Sequence, residues 1–370
     1  MSEKTLTADD LAVRFQCMHQ FVPAAKKNVD EGAWDYLVGG AETETTQIRN
    51  RKSLDRLAFR PRVMRDVTNL DPGTEFLGRR LELPVIFAPI GSLQQFSPEG
   101  GAGISRAAGR FGVAHMLSSV CQPGLEAVAE AAPDAARIFQ LYVRGDGDWV
   151  DEHIDRAIDK GYMAFCFTID LDYYGRRERD KAKGFLSVSR QTQAVGEEFQ
   201  RSFNWSDFRR VREKYPNIPL ILKGIATAED AEIAVQEGCD VIYVSNHGGR
   251  QLDHGRGGAD VLPEVVAAVK GRAKVILDGS IMRGTDVVKA IILGADAVGM
   301  GRMQGLAYAA AGEEGVMRML ELLDDEVRTC MALLGVTSYD QLDSSYLYQE
   351  SETARDTHTM SAFPLMDEGY

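Results

Sequence analysis

The chain has 370 residues, 44% of them hydrophobic and 26% charged, which is ordinary for a folded globular protein with enough apolar material for a sizeable core. Its formal net charge of −13 and pI near 5.1 argue against the basic surface that a nucleic-acid partner requires, so any anionic ligand must meet a local cluster of Arg and Lys. The five cysteines, Cys17, Cys121, Cys166, Cys239 and Cys330, are odd in number, far apart and without a CxxC pair, which reads as isolated reduced thiols.

The opening MSEKTLTADD has no basic stretch followed by an apolar one, the longest apolar stretches are cut by Lys289, Asp296 and Arg302, and the closing MDEGY is no peroxisomal tripeptide. A cytoplasmic protein without membrane insertion is expected. Residues 1 to about 60 read as helices. Between 84 and 302 a short apolar run then recurs at 84–89, 114–118, 138–143, 164–170, 220–223, 241–246, 274–278 and 297–302, each followed by a segment of helical spacing. Continuously apolar strands alternating with helices predict a parallel sheet covered on its faces, and eight such units fit a closed barrel better than an open sheet. The expected fold is therefore α/β, a single (β/α)8 TIM barrel domain spanning 1–370.

The clearest helices fall at 227–237, where Thr227 and Asp230 resemble a capping box with a shorter acid, at 259–269, and at 285–293 before the C-cap glycine Gly294. The stretch 181–215 is too long for a simple connection and is expected to be a mobile loop over the barrel mouth. An amphipathic helix from 311 to about 340 closes the barrel, and the polar tail from about 349 to 370 is expected to be mobile.

In such a barrel the active site gathers where the strands end, and those ends are unusually polar here: Gln140 and Tyr142, Thr168 and Asp170, Lys223, Ser245 to His247, and Asp278. In Ser245-Asn-His-Gly-Gly-Arg-Gln-Leu-Asp253 an imidazole just past a strand can act as a base near neutral pH, the glycines admit a ligand to the backbone, and Arg250 can hold a carboxylate through two hydrogen bonds. The plain alternative is a loop histidine beside a surface arginine. The glycine turns Asp278-Gly-Ser-Ile-Met-Arg-Gly284 and Gly299-Met-Gly-Arg302 suit a phosphate site, to which Arg283 and Arg302 could add charge, and they do not form the dinucleotide-binding pattern. Lys223 ends the strand PLILK, where its ammonium can stabilise developing negative charge, form a Schiff base, or simply pair with an acid.

Together these residues resemble the FMN-dependent α-hydroxy acid oxidases and dehydrogenases, which include glycolate oxidase, lactate oxidase and mandelate dehydrogenase. The likeness runs from about Tyr36 to Leu342, in WDYLVGGAE, FRPRV, APIG, QLYV, TID with GRRERD, LKGI, DGSIMRGTDVVKA and above all SNHGGRQLD. It implies oxidation of an L-2-hydroxy acid to the 2-oxo acid, with FMN as cofactor, oxygen or quinone as electron acceptor, and a homo-oligomer, tetramer or octamer. By that resemblance His247 is the base and Asp278 pairs with its imidazolium, Arg177 and Arg250 bind the substrate carboxylate, and Tyr36 and Tyr142 offer it hydroxyls. Pro89, Ile90, Gly91 and Ser245 would lie at the flavin ring, Ser118, Gln140 and Thr168 along its polar edge, and Lys223 where charge builds on reduction. Gly279, Ser280, Arg283, Gly301 and Arg302 would hold the ribityl phosphate.

Several positions depart from the family pattern. Met282 stands where a first of two arginines is usual, so Arg302 is expected to carry more of the phosphate. TIDLDYYGRR replaces TVDTPRLGRR and brings Asp172, Tyr173 and Tyr174 to the pocket wall. Val120 stands where glycolate oxidase has a large aromatic, which favours a bulky, aryl or mandelate-like acid over glycolate. Gly91, commonly alanine, leaves room near the flavin and suits dehydrogenases at least as well as oxidases. Two other functions remain open. One keeps FMN but decarboxylates oxidatively, or oxidises an amine or a modified peptide. The other is a non-redox phosphate-binding barrel, which need not bring His247, Arg250 and Arg177 together. No metal is expected.

Overall fold

The computed structural model describes residues 8–193 and 195–370, so most of the opening decapeptide lies outside the described residues. Eight parallel strands close into a barrel: β1 (Val85–Phe87), β2 (Ala114–Ser118), β3 (Ala136–Leu141), β4 (Ala164–Thr168), β5 (Leu220–Ile225), β6 (Val241–Val244), β7 (Lys274–Leu277) and β8 (Ala297–Met300). Their order in space follows the sequence, and β8 returns to β1 through Val298–Val85 and Met300–Phe87. Each expected run holds one strand. The runs written through Asp170, Asn246 and Arg302 stop pairing at Thr168, Val244 and Met300, because the residues beyond leave the ladder for the site.

Alternation within these runs separates two cores. Ile86, Met116, Ile138, Cys166, Ile221, Tyr243 and Ile276 fill the barrel, and the antiparallel pair Thr74–Phe76 and Arg79–Leu81 adds Phe76 and Leu81 to the same cluster. Their neighbours Val85, Phe87, Leu220 and Leu222 face outward and pack with the helices.

The helices that follow β5, β6 and β7 are Ala228–Gln236, Gly258–Val269 and Gly284–Ile292. Thr227 caps the first, its hydroxyl accepting from the Asp230 N–H at 3.2 Å. Before the barrel come Ala8–Arg14, Phe21–Asn28, Glu31–Val38 and Thr45–Asp55. The long helix Arg302–Leu334 loses helical geometry at Ala311 and Gly312, so the expected closing helix is its second half, ended by Gly335. The tract 181–215 differs from the expected loop. It is largely helical, at Glu178–Ala182, Val188–Gln193, Glu197–Ser202 and Trp205–Lys214, and the last of these leads into β5. Just before the tail Leu347–Gln349 pairs with Leu57–Phe59, and within the tail Phe363 is 2% exposed. Among the described residues no helix is long and apolar enough to cross a membrane, and no group of side chains is suited to hold a metal ion.

Candidate active site

A cavity opens at the C-terminal ends of the strands. It is lined by Tyr36, Pro89, Ile90, Gly91, Val120, Tyr142, Tyr174, Arg177, Lys223, His247, Arg250, Asp278, Gly279, Ser280, Gly301 and Arg302, among others, at the place where barrels of this kind bind their ligands. Ser118, Gln140, Thr168 and Ser245 do not line it. They are buried at the strand ends beside it, Ser118 paired in register with Gln140 and Thr168 with Lys223.

His247 follows β6 in a left-handed backbone conformation, φ 58°, which is uncommon for a residue with a side chain and is held here by its surroundings. Its N–H donates to Ser245 Oγ at 3.0 Å, and its Nδ1 lies 2.9 Å from Asp170 Oδ1. A carboxylate can only accept, which assigns the ring hydrogen to Nδ1 and leaves a lone pair on Nε2, 3.4 Å from the Tyr142 hydroxyl. Burial pushes the His247 pKa below its ordinary value, although Asp170 pulls the other way. Burial opposes ionisation of Asp170 as well, yet His247 and Lys223 together hold its carboxyl below the usual range. The resting site therefore contains a neutral imidazole oriented by a carboxylate.

That carboxylate corrects the expected Asp278–His247 pair. Asp278 instead approaches Lys223, 3.7 Å from the ammonium, and Lys223 also donates to Ser245 Oγ at 3.0 Å. Burial works against the charge on Lys223, but Asp278 and Asp170 raise its pKa overall, so it is an ammonium and not a free amine poised for a Schiff base.

Arg177 and Arg250 both stand over the Tyr36 ring, 5.8 and 4.9 Å from its centroid, and neither has an acidic partner within ion-pair distance among the described residues. Arg250 donates to Gly39 O at 2.8 Å and Arg177 to the Tyr174 hydroxyl. Burial, then the charge of Arg177, lower the Arg250 pKa. Two guanidinium groups sharing one cavity, with no carboxylate at ion-pair distance among the described residues, make a ready anion site.

Two loops build this arrangement from parts of the SNHGGRQLD motif that carry no chemistry themselves. Gln251 donates to Asp170 O and Tyr173 O, both at 2.9 Å, and accepts from Gly175 N, fastening the segment between Asp170 and Arg177. Asp253 accepts from the Thr43 and Thr46 N–H groups at 3.0 and 2.7 Å and so fixes the start of the helix Thr45–Asp55. Of the three residues expected at the pocket wall, only Tyr174 lines the cavity. Asp172 and Tyr173 line a separate groove outside it, and Tyr173 is 72% exposed, because the turn that inserts Tyr174 carries them outward.

Arg283 is a second correction. Its guanidinium is 2.7 Å from Glu326 and donates to Ala362 O, and it faces another groove, so it adds no free charge to the cavity. Met282 takes the cavity side of that turn. Arg302 does enter it, held by Gly248 O at 2.9 Å, where a Cβ on Gly248 would come within 2.7 Å of Nη1. Sequence reasoning missed Ser189, which lines the cavity from the helix Val188–Gln193 and hydrogen-bonds the Tyr36 hydroxyl at 3.1 Å. Nothing in that polar stretch carried a motif by which to find it.

The residues present fit FMN. Both ends of the buried Gln140 carboxamide, Thr168 Oγ1, Asp278 Oδ1 and Arg302 Nε have no hydrogen-bond partner in the protein, a pattern natural where a polar ligand completes them.

A family model described as FMN-dependent dehydrogenase matches residues 25–349. An L-lactate oxidase from Nostoc sp. is 35% identical over 356 residues, covering 90% of this chain and 97% of its own length. A glycolate oxidase from Spinacia oleracea is 36% identical over 351 residues, covering 89% and 95%. A crystal structure of mandelate oxidase superposes with a TM-score of 0.83 at 38% identity, covering 90% of this chain and 98% of that one.

Proposed function

We propose, from the premise that the chain belongs to the FMN-dependent dehydrogenase family, that it oxidises a bulky or aromatic L-2-hydroxy acid to the 2-oxo acid. FMN-dependent oxidation of 2-hydroxy acids is the chemistry common to its relatives, and the choice of a bulky acid is drawn from the pocket. The observation that carries the reading is the meeting of His247, Arg177 and Arg250 in one cavity whose wall includes the apolar cluster Val120, Leu171, Tyr142 and Tyr174. Val120 leaves space, and the rings of Tyr142 and Tyr174 offer aromatic surface.

Arg177 and Arg250 bind the carboxylate, with the Tyr36 and Tyr142 hydroxyls as further donors, so the 2-hydroxyl comes to the free Nε2 of His247. His247 takes the hydroxyl proton, and Asp170 stabilises the imidazolium that results. Gln140, Thr168, Ser118 and Ser245 at the strand ends, Pro89, Ile90 and Gly91 at the mouth, and Gly279, Ser280, Gly301 and Arg302 at the glycine turns would hold FMN, with Lys223 and Asp278 beside it. When bound, FMN supplies a two-electron acceptor for the hydride equivalent leaving the same carbon. The oxidase names of the relatives support oxygen as the final acceptor, with quinone as the competitor.

We further place the enzyme in the cytoplasm, supported by five unpaired cysteines, and as a homo-oligomer of four or eight chains, supported by the exposed apolar side chains Val63, Met64 and Leu333. Light scattering decides the latter.

The test of function is anaerobic mixing of the purified yellow protein with mandelate, phenyllactate, lactate and glycolate, followed by reoxidation with oxygen or a quinone. Bleaching by the aryl acids with a kcat/KM at least ~10-fold above that for glycolate is expected, the scale at which a hydrophobic pocket discriminates. Equal values for glycolate would remove the bulky-substrate assignment. Protein that no 2-hydroxy acid bleaches, but an amine does, would move the function to the amine.

A further inference from the structure

Arg302 is held entirely by neutral oxygens: Gly248 O at 2.9 Å, Gly39 O at 2.8 Å and Gln47 Oε1 at 2.7 Å. Burial, and then the nearby charge of Arg250, push its pKa down to about 9, and its Nε has no partner. With Arg283 neutralised by Glu326 and Met282 contributing no charge, Arg302 is the free guanidinium that the two glycine turns supply to the cavity.

Its third acceptor leads to the carboxyl tail. The Gln47 carboxamide is buried and uses both ends. Oε1 accepts from Arg302, while Nε2 donates to Val38 O at 2.8 Å and to Thr359 Oγ1 at 2.9 Å. Those two acceptors decide which way the amide points: Nε2 toward Val38 and Thr359, Oε1 toward the guanidinium. Thr359 is itself secured by its neighbours. Phe363 is 2% exposed and meets the His19 ring edge-on at 5.7 Å, Ala362 O accepts from Arg283, and Ser361 Oγ donates to His358 O at 2.8 Å.

We propose that residues 357–363 form a latch on the phosphate end of the cofactor site, acting through Thr359 on Gln47 and through Gln47 on Arg302. The latch rests on FMN being the cofactor, and Gln47 and Thr359 are positioning residues that need not touch it. Without the Thr359 hydroxyl the amide loses one of the two acceptors that orient it. Without the Gln47 oxygen, the guanidinium is freed to turn away from an incoming dianion. The consequence is selective, because only a flavin with a phosphate uses Arg302. FMN loses affinity and riboflavin does not.

The experiment strips the full-length protein of flavin and titrates it with FMN and, separately, with riboflavin, following the quenching of flavin fluorescence. Gln47→Leu and a chain ending at Ser351 are each expected to raise the FMN Kd on the order of tenfold, the scale of one hydrogen bond to a charged group, and to leave the riboflavin Kd within about twofold. Thr359→Val should move FMN in the same direction by less, and Gln47→Leu in the shortened chain should lose no more than either change alone, since both act along one path. If the shortened chain does not fold, Thr359→Val and Gln47→Leu carry the test. An unchanged FMN Kd in Gln47→Leu, or equal losses for both flavins, would overturn the latch and make the tail a mere brace. Full-length protein that takes up neither flavin sinks the function proposed above and the latch with it.

Discussion

His247 works as a base only while neutral, and its burial makes that state the resting one. Because its pKa lies below the ordinary value of about 6.5, the rate of flavin reduction should hold steady down through neutral pH and fall only below ~6.5, where the ring takes up a proton. His247→Ala should keep the yellow colour and lose reduction by at least roughly a hundredfold, the lower range for a positioned base. Stopped-flow absorbance checks this, and retained reduction would end the assignment. Asp170→Asn tests the orienting carboxylate independently. Asp170 raises the His247 pKa, so removing its charge should move the acid limb to still lower pH and cut the plateau rate by about tenfold or more. A limb that stayed in place would show that Asp170 does not act on the ring. The choice between Asp170 and Asp278 illustrates what a sequence withholds. Both acids close a strand run, and only the turn after β4, stapled by Gln251, decides that Asp170 faces the imidazole while Asp278 faces Lys223. His247 and Arg250 were legible, because glycines and a second cation beside a strand end have few structural uses, whereas Arg177 was found only through the family resemblance of GRRERD. Arg283 was misread for a related reason, since its partner Glu326 lies on a helix 43 residues away.

The barrel strands were legible to within about two residues at their ends, because burial on both faces gives a short, continuous apolar run bounded by turn residues. The tract from 181 to 215 was not, since short polar helices over a mouth have neither a wide apolar stripe nor a strand run to announce them. Contact with the mouth gives that tract its consequence. A Cβ on Gly91 would stand 2.7 Å from Ser189 Cβ and 2.8 Å from Val120 Cγ2, closer than such atoms pack. The space that Gly91 leaves is thus taken up by the helix Val188–Gln193, and does not stand open as the sequence suggested. Gly91→Ala should displace this helix, break the Ser189–Tyr36 hydrogen bond and raise KM for the hydroxy acid several-fold. Limited proteolysis around 185–200 should quicken in parallel, and unchanged KM together with unchanged cleavage would show that the helix does not dock there. On the opposite flank, Arg51 ties the helix Thr45–Asp55 to the turn after β7, bonding Ser280 O at 2.9 Å and Asp286 at 2.7 Å, with both side chains at most 3% exposed. Arg51→Ala leaves Asp286 buried without its main counter-charge, a loss of about 3–5 kcal/mol. Thermal or denaturant unfolding of the holoprotein measures it, and a shift under ~1 kcal/mol would mean that Lys289 takes over the pairing.

Across the whole molecule the charge is unevenly placed: −13 overall, yet Arg177, Arg250, Arg302 and Lys223 converge on one cavity, and among the described residues only Lys223 of the four has an acid within ion-pair range. Folding without a ligand gathers these cations in one cavity at the barrel mouth, so the flavin-free protein carries a mutual repulsion that bound anions relieve. Saturating FMN at about a hundred times its Kd adds ~2.7 kcal/mol to the folded state. In a protein of this size that should raise Tm by roughly 3–4 °C. Sulfate should also stabilise the flavin-free protein more than sodium chloride at equal ionic strength. Part of that gain is the general exclusion of sulfate from protein surfaces, which acts on any sequence. Arg302→Met separates the two parts. The general gain survives the substitution and the specific gain is lost. A parent whose Tm ignores FMN, or a variant that gains from sulfate as much as the parent does, would show that the cavity cations do not bind anions in the folded state.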